Sequence, residues 1–422
     1  MRKSLIITIL AGVSVLLGMT SCDKNVYDEE RHKELIHYFS AVDSVDQQHM
    51  WQLSQTKSLR YQVPSGSYKQ LCVYTANPLT ASNAELMNQT DVSGGQSGVL
   101  SLDIPYQLST IYPALVDANG YLSVASLSSS QLSVDFTDVT TGQAKASITP
   151  QTYTYLFEEN NPEPGDYDYN DMVLRISQQR TGEKQITVNV TISAVGADRQ
   201  IAGCIRLVGY RFQDIDSVYT TTGESFNDGI DIQMLYMHKE TDFLIEGQNH
   251  EAVLNLFCDA HWAMAFNLSV DYGLFKRKKY NVSTTISDDY QIRTPRTISY
   301  VIDFKDSSTL NSFTLDTLDP FIITDYNGGI WESHTEQFKS ACVLHDYYVP
   351  SFKDLPWGLM VTQADFLYPL EGIEIGYRKK TEGGTVAMFG AYTTIGHSFG
   401  EWAEDRNNYL DWYLYPNEQL TF

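Results

Sequence analysis

Between Phe157 and Leu174 the sequence runs FEENNPEPGDYDYNDMVL, in which Asp166, Asp168 and Asn170 alternate with Tyr167 and Tyr169. In an extended or looping backbone, side chains two apart point to one side, so three oxygen donors converge and the tyrosines face the other way. Asp171 adds a carboxylate, and Glu158 and Glu159 stand just before the loop. Carboxylates, an amide and backbone carbonyls suit a hard cation such as Ca2+, which takes about six to eight oxygens at about 2.3–2.6 Å. The expected metal ligands are Glu158, Glu159, Asp166, Asp168, Asn170 and Asp171, with calcium as the cofactor. The spacing begins like an EF-hand, but Asp171 stands where that loop needs Gly and Ser177 where it needs Glu, which excludes it. The competing reading is a solvated acidic turn whose carboxylates cap backbone N–H groups. Against that reading stands the density of like charge, with no Lys or Arg in the segment before Arg175.

No other residues group into recognisable chemistry. There is no GxSxG, no HExxH, no phosphate loop with GK and no dinucleotide fingerprint, and His238, His250, His261, His334, His345 and His397 form no known pairing. Close carboxylates could hydrolyse glycosides, but an acidic loop suits a cation better than an acid and a base held across a sugar. No enzymatic role is expected. The net charge of −23 argues against nucleic acid or anionic lipid as a partner. Cys72, Cys204, Cys258 and Cys342 are widely spaced with no CxxC, so neither a zinc site nor a dense disulfide scaffold is indicated, and Cys72 and Cys258 read as small buried hydrophobes.

The elements that must position the loop are strands. In Trp51 to Thr149, runs such as SLRYQV, QLCVYTA, GVLSLDI and LSVDFTDV are separated by Gly and Asn turns, which predicts a small β-sandwich. Leu132, Val134 and Phe136 alternate as one of its strands. After Gln151 the strands lengthen, and Ile186, Val188, Val190 and Ile192 share one face of ITVNVTISAV. The fold class is therefore all-β: a small N-terminal β-sandwich over 51–149, then a larger antiparallel, sandwich-like domain over 150–422 with a few short helices. Aromatic residues of the last third, Trp357, Tyr368, Phe399, Trp402, Trp412 and Tyr413, could form a sugar-stacking platform, but the three-residue spacing of Phe399 and Trp402 favours a packed core.

Met1 to Ser21 has a basic start, an apolar run from Leu5 to Leu17 and small residues before a cysteine, the order of an export signal. That run is too short to span a bilayer, which needs about 20 apolar residues. Met19-Thr20-Ser21-Cys22 resembles the lipobox of bacterial lipoproteins, with Met where Leu is usual, which implies a lipid on Cys22 that holds the chain to a membrane. The polar stretch that follows, with Asp28, Glu29 and Glu30, is similar to the acidic stretch that marks lipoproteins of the Bacteroides group for the outer surface. Residues 22–50 are expected to be a tether with one short helix, since Leu35, Tyr38, Phe39 and Val42 fall at helical spacing.

FEENNPEPGDYDYNDMVL also resembles the signature of the LruC domain family. LDPFI at 318–322, LPWGL at 355–359, FLYPLEGIEI at 366–375 and FGEWAEDRNNYLDWY at 399–413 resemble that family's closing elements, in order. DQQHMWQLSQTKSLRYQVP, beginning at Asp46, is similar to its companion N-terminal β domain, in which a Trp at the place of Trp51 plugs one end of the sandwich. The resemblance implies a cell-surface or secreted β-rich protein with a calcium-type loop, carried by Glu158, Asp166, Asp168, Asn170 and Asp171, and no established catalysis. Glu159 stands where the family has Asp, and the stretch between Glu332 and Asp354 lacks the family's Pro-rich acidic loop. Asp43-Ser44-Val45, Asp216-Ser217-Val218 and Asp316-Thr317-Leu318 look like O-glycan acceptors of Bacteroides. The expectation is a lipid-anchored outer-membrane protein at the cell surface, acting as a binding, adhesive or structural module on an extracellular protein or glycan partner. A glycan-binding or glycan-processing protein and a pilus-like assembly subunit are the alternatives.

Overall fold

The computed structural model describes residues 42, 44–163, 165–230, 243–266, 270–326, 328–344, 355–381, 384–387 and 398–422. The signal segment, Cys22 and the expected tether helix lie outside these residues. Among the described residues no helix is long and apolar enough to cross a membrane.

The chain is all-β. Its first unit holds β1 (Ser54–Gln62), β2 (Tyr68–Tyr74), β3 (Glu85–Asp91), β4 (Ser97–Pro105), β5 (Thr110–Asp117) and β6 (Leu122–Val124), followed by the short β7 (Leu127–Ser128), β8 (Ser133–Val134), β9 (Thr140–Gly142) and β10 (Thr149–Pro150). One sheet runs β4-β1-β8 and the facing sheet β10-β3-β2-β5-β6-β9. Leu59 and Tyr61 of β1, Leu100, Leu102 and Ile104 of β4, and Leu71, Val73, Ile111 and Leu115 opposite fill the space between them. Alternation of apolar residues is what lets each strand give one face to that core. Leu132, Val134 and Phe136 do turn inward, but only Ser133–Val134 pairs as a strand, because the backbone at Phe136 turns left-handed (φ 58°).

The second unit opens with β11 (Thr152–Phe157), β12 (Met172–Gly182), β13 (Gln185–Ala194), β14 (Ala202–Arg211), β15 (Ile215–Thr220), β16 (Leu244–Glu246) and β17 (Glu251–Phe257). It continues with the helix α1 (Ala260–Ala265), β18 (Lys279–Tyr280), β19 (Tyr290–Gln291), β20 (Arg296–Phe304), β21 (Leu318–Tyr326), β22 (Gly329–His334), β23 (Gly358–Val361), a hairpin of β24 (Arg378–Thr381) and β25 (Gly384–Ala387), and the helix α2 (Phe399–Glu404). A six-stranded sheet, β15-β20-β13-β12-β11-β23, packs on a five-stranded sheet, β16-β17-β14-β21-β22. Ile186, Val188, Val190 and Ile192 enter the core between them, as their alternation predicts.

A third cluster closes one end of this sandwich. Phe399, Trp402 and Trp412 are fully buried and Tyr368 and Tyr413 nearly so, which removes the aromatic platform; of the six aromatics, only Trp357 keeps intermediate exposure. Trp51 is in this cluster as well, stacked on His49 and Phe399 and edge-on to Trp402, so it plugs the second unit and not the N-terminal sandwich. The described part of the expected tether is likewise packed: Asp46 N–H donates to the Ala403 carbonyl, and Arg406 pairs with the Asp46 carboxylate at 2.6 Å. Thr317 is buried with its hydroxyl in a turn, which argues against its modification, whereas Ser217 is exposed.

Candidate metal centre

The acidic loop connects β11 to β12, two neighbouring strands of the six-stranded sheet. Its backbone is left-handed at Tyr167 (φ 54°) and Tyr169 (φ 55°), a conformation bulky residues rarely take and one that needs support from the surroundings. Glu158, at the end of β11, supplies part of that support. Its Oε1 accepts the Tyr169 N–H at 2.7 Å and its Oε2 the Tyr167 N–H at 3.3 Å. The two tyrosine rings enter the closing cluster, and Tyr169 Oη donates to the Pro356 carbonyl at 2.6 Å. The alternation read from the sequence therefore holds: tyrosines to the core, carboxylates to the other side.

Glu158, Asp166 and Asp168 each place a carboxylate oxygen within 4.8 Å of the others, a spacing that could hold one metal ion. Glu158 and Asp168 are buried and Asp166 is partly exposed, which leaves a side for water or substitution of ligands. Asp168 is fixed at both oxygens, accepting the Asn170 N–H at 3.0 Å and the Gly372 N–H at 2.7 Å. Each accepting oxygen still has a lone pair to give a cation.

The remaining expected ligands divide. Glu159 points away, its two oxygens accepting the N–H groups of Asp198 and Arg199, both at 2.9 Å. Asp171 Oδ2 caps the Glu159 N–H at 2.7 Å. These two residues follow the capping reading and hold the loop's shape. Asn170 donates its amide to the Pro369 carbonyl at 3.2 Å, while its Oδ1, fully buried, has no hydrogen-bond partner. Beside it is a carboxylate that sequence reasoning missed, Glu371, whose Oε2 is also buried and unpartnered. Both oxygens lie within 3.0 Å of the point where a Cβ on Gly196 would stand, so the glycine makes the room they occupy. Glu371 lies in FLYPLEGIEI, and its only sequence signal was an acidic residue in that ordered motif.

Electrostatics favour a cation. Burial, then Asp166 and Asp168, push the Glu158 carboxyl well above the usual carboxylate range; burial, then Asp166, do the same to Asp168; burial, then Glu158 and Glu159, to Asp171. The sequence offers no nearby countercharge, but the fold brings one: Lys279 pairs with Glu371 at 2.6 Å and Asp198 at 3.0 Å, although burial still raises the Asp166 pKa and Lys279 offsets only part of that rise. One ammonium at the rim leaves the buried Glu158 and Asp168 uncompensated.

A family model, that of the domain of unknown function DUF4842, matches residues 184–413. The matched stretch begins beyond β12, so the acidic loop lies outside it, and it contains Lys279 and Glu371. No curated protein matches the chain. Among solved structures it is similar to a candidate lipoprotein from Bacteroides ovatus, seen in a 2.08 Å crystal structure, at 14% identity and a TM-score of 0.49, over 84% of this chain and 99% of that one.

Proposed function

The chain belongs to the family of the domain of unknown function DUF4842, and from that premise we propose that it is a lipid-anchored surface protein whose second unit holds calcium in its acidic loop and works as a binding, adhesive or structural module. The observation that carries the cation reading is that Glu158, Asp166 and Asp168, two of them buried, bring carboxylate oxygens within 4.8 Å of one another. Cys22 is the proposed site of the lipid and the outer membrane the proposed location. The GDYDYND loop and the ordered closing motifs support placing the chain with LruC-domain proteins.

A calcium ion here would tie three parts of the fold together. The end of β11 carries Glu158, the loop carries Asp166 and Asp168, and the Gly372 N–H bond joins Asp168 to the closing segment. We propose no catalytic residue. The glycan-binding alternative, which rested on lipid anchorage and surface aromatics, loses most of those aromatics, since Phe399, Trp402 and Trp412 are buried and Trp357 alone of the named six keeps intermediate exposure.

The test is the thermal midpoint of the whole exported chain with calcium and with chelator. Calcium is expected to raise it by several degrees, and Asp166→Asn with Asp168→Asn to remove that rise. Asp166 carries the probe, since Asp168, like Asp171, also accepts backbone N–H groups whether or not calcium binds, so the readout is the response to calcium and not the midpoint itself. Equal midpoints for the wild-type chain in calcium and in chelator would sink the reading.

A further inference from the structure

The two β units meet at a second group of carboxylates that is separate from the acidic loop. β1 and β4 pair antiparallel with Thr56 directly opposite Asp103, so these side chains share a face of the sheet, and Ser54, two residues along, points the same way. That face is turned to the second unit. Thr56 Oγ1 donates to Asp316 Oδ2 at 2.6 Å, across from one unit to the other, and the contact continues through Asn88 to the Phe313 carbonyl (2.9 Å) and Thr90 to Asn311 (2.8 Å).

Asp103 is 3% exposed, yet neither of its carboxylate oxygens has a hydrogen-bond partner. The Ser54 hydroxyl, on a residue 2% exposed, and the Tyr153 hydroxyl face it and lower its pKa, but neither closes a well-formed hydrogen bond to the carboxylate. A buried carboxylate left this way is costly, and native structures resolve such groups with an ion, a water or a proton. Besides burial, the groups that set the protonation of Asp103 are Asp316, Ser54 and Tyr153, and for Asp316 it is Thr56; no Lys or Arg is among them.

We infer that Asp103, Asp316 and Ser54 bind a divalent cation at the junction of the two units. All the donors are carboxylate or hydroxyl oxygens, the chemistry of a hard ion of the calcium class. Two carboxylates balance its charge. Thr56 is exposed and Asp316 partly so, and together they give the ion a way in from solvent and room for water ligands. The ion joins a strand of the first unit to the turn before β21 of the second, and so fixes their relative placement.

Calorimetric titration of the whole chain with calcium tests this, on the wild-type protein, D103N, S54A and D166N/D168N. D103N is expected to bind one calcium fewer than the wild type. S54A is expected to keep that calcium with roughly ten-fold weaker affinity, and it serves if D103N fails to fold. The acidic-loop double variant is expected to keep the junction site, so failure of one site leaves the other measurable. Should D103N fold and bind as many calcium ions as the wild type, the two carboxyls hold a proton and the inference is wrong. Unaltered affinity in S54A overturns it equally.

Discussion

Glu158 accepts two loop N–H groups on oxygens that also face Asp166 and Asp168, so the loop's shape and its capacity for a cation depend on one carboxylate. Gly165 is the residue that permits this. A Cβ there would lie 2.1 Å from Glu158 Oε2, closer than any real contact, and the neighbouring backbone is pinned through Tyr167 and Tyr169. Gly165→Ala is therefore expected to destabilise the chain by about 1–3 kcal/mol, the usual range for overpacking a filled site. Gly273→Ala is the control, since no atom stands within 4 Å of its Cβ position. Urea denaturation in chelator measures both, and equal midpoints would mean the loop yields without cost. Spacing made Glu158, Asp166 and Asp168 legible in the sequence because they lie within one loop. Glu371, Lys279 and Gly196 come from distant strands and turns, and no local pattern could bring them to it.

At the scale of elements, β21 and β22 carry a buried ion network that the sequence left as an unpaired histidine. His334 Nδ1–H donates to Asp319 at 3.0 Å and Nε2–H to Glu332 at 3.3 Å, which requires the imidazolium form. Arg206 from β14 also holds Asp319, at 2.9 Å, and Glu332 accepts the N–H groups of Val343 and Leu344. Burial lowers the His334 pKa, but Asp319 and Glu332 outweigh it and raise the group to about 9. A raised pKa stabilises the fold fully below the unfolded value of about 6.5, and the contribution is lost as pH rises through about 9. The stability gap between the wild-type chain and His334→Gln is thus expected to be up to about 3 kcal/mol near pH 6 and to shrink steadily by pH 9.5. Denaturant titrations across that range measure it, and a gap independent of pH would show that His334 is neutral. The alternation of β13 was readable because both its faces obey one period; the network was not, since His334 meets Asp319 only through the register of two paired strands.

For the whole molecule, the segment from Val42 to Leu53 decides how anything before it is tied to the second unit. Sequence resemblance set Trp51 in the N-terminal sandwich, because it directly precedes β1. The fold instead lays this segment across α2, where Trp51 is 5% exposed and touches His49, Phe399 and Trp402. His49 completes the contact, its Nδ1 accepting the Trp51 N–H and its Nε2–H donating to the Trp402 carbonyl. Removing a buried indole costs about 3–5 kcal/mol, while the water-screened Arg406 to Asp46 pair adds little. The aromatic contact therefore holds the segment and the ion pair only aligns it. Trp51→Ala is expected to lower stability by that larger amount and to open residues 42–53 to a nonspecific protease, while Arg406→Gln leaves both nearly unchanged. If Trp51→Ala resists cleavage there as the wild-type chain does, the main-chain bond from Asp46 to Ala403 is sufficient. A pull on whatever precedes Val42 would then be borne by backbone alone, and not by the core of the second unit.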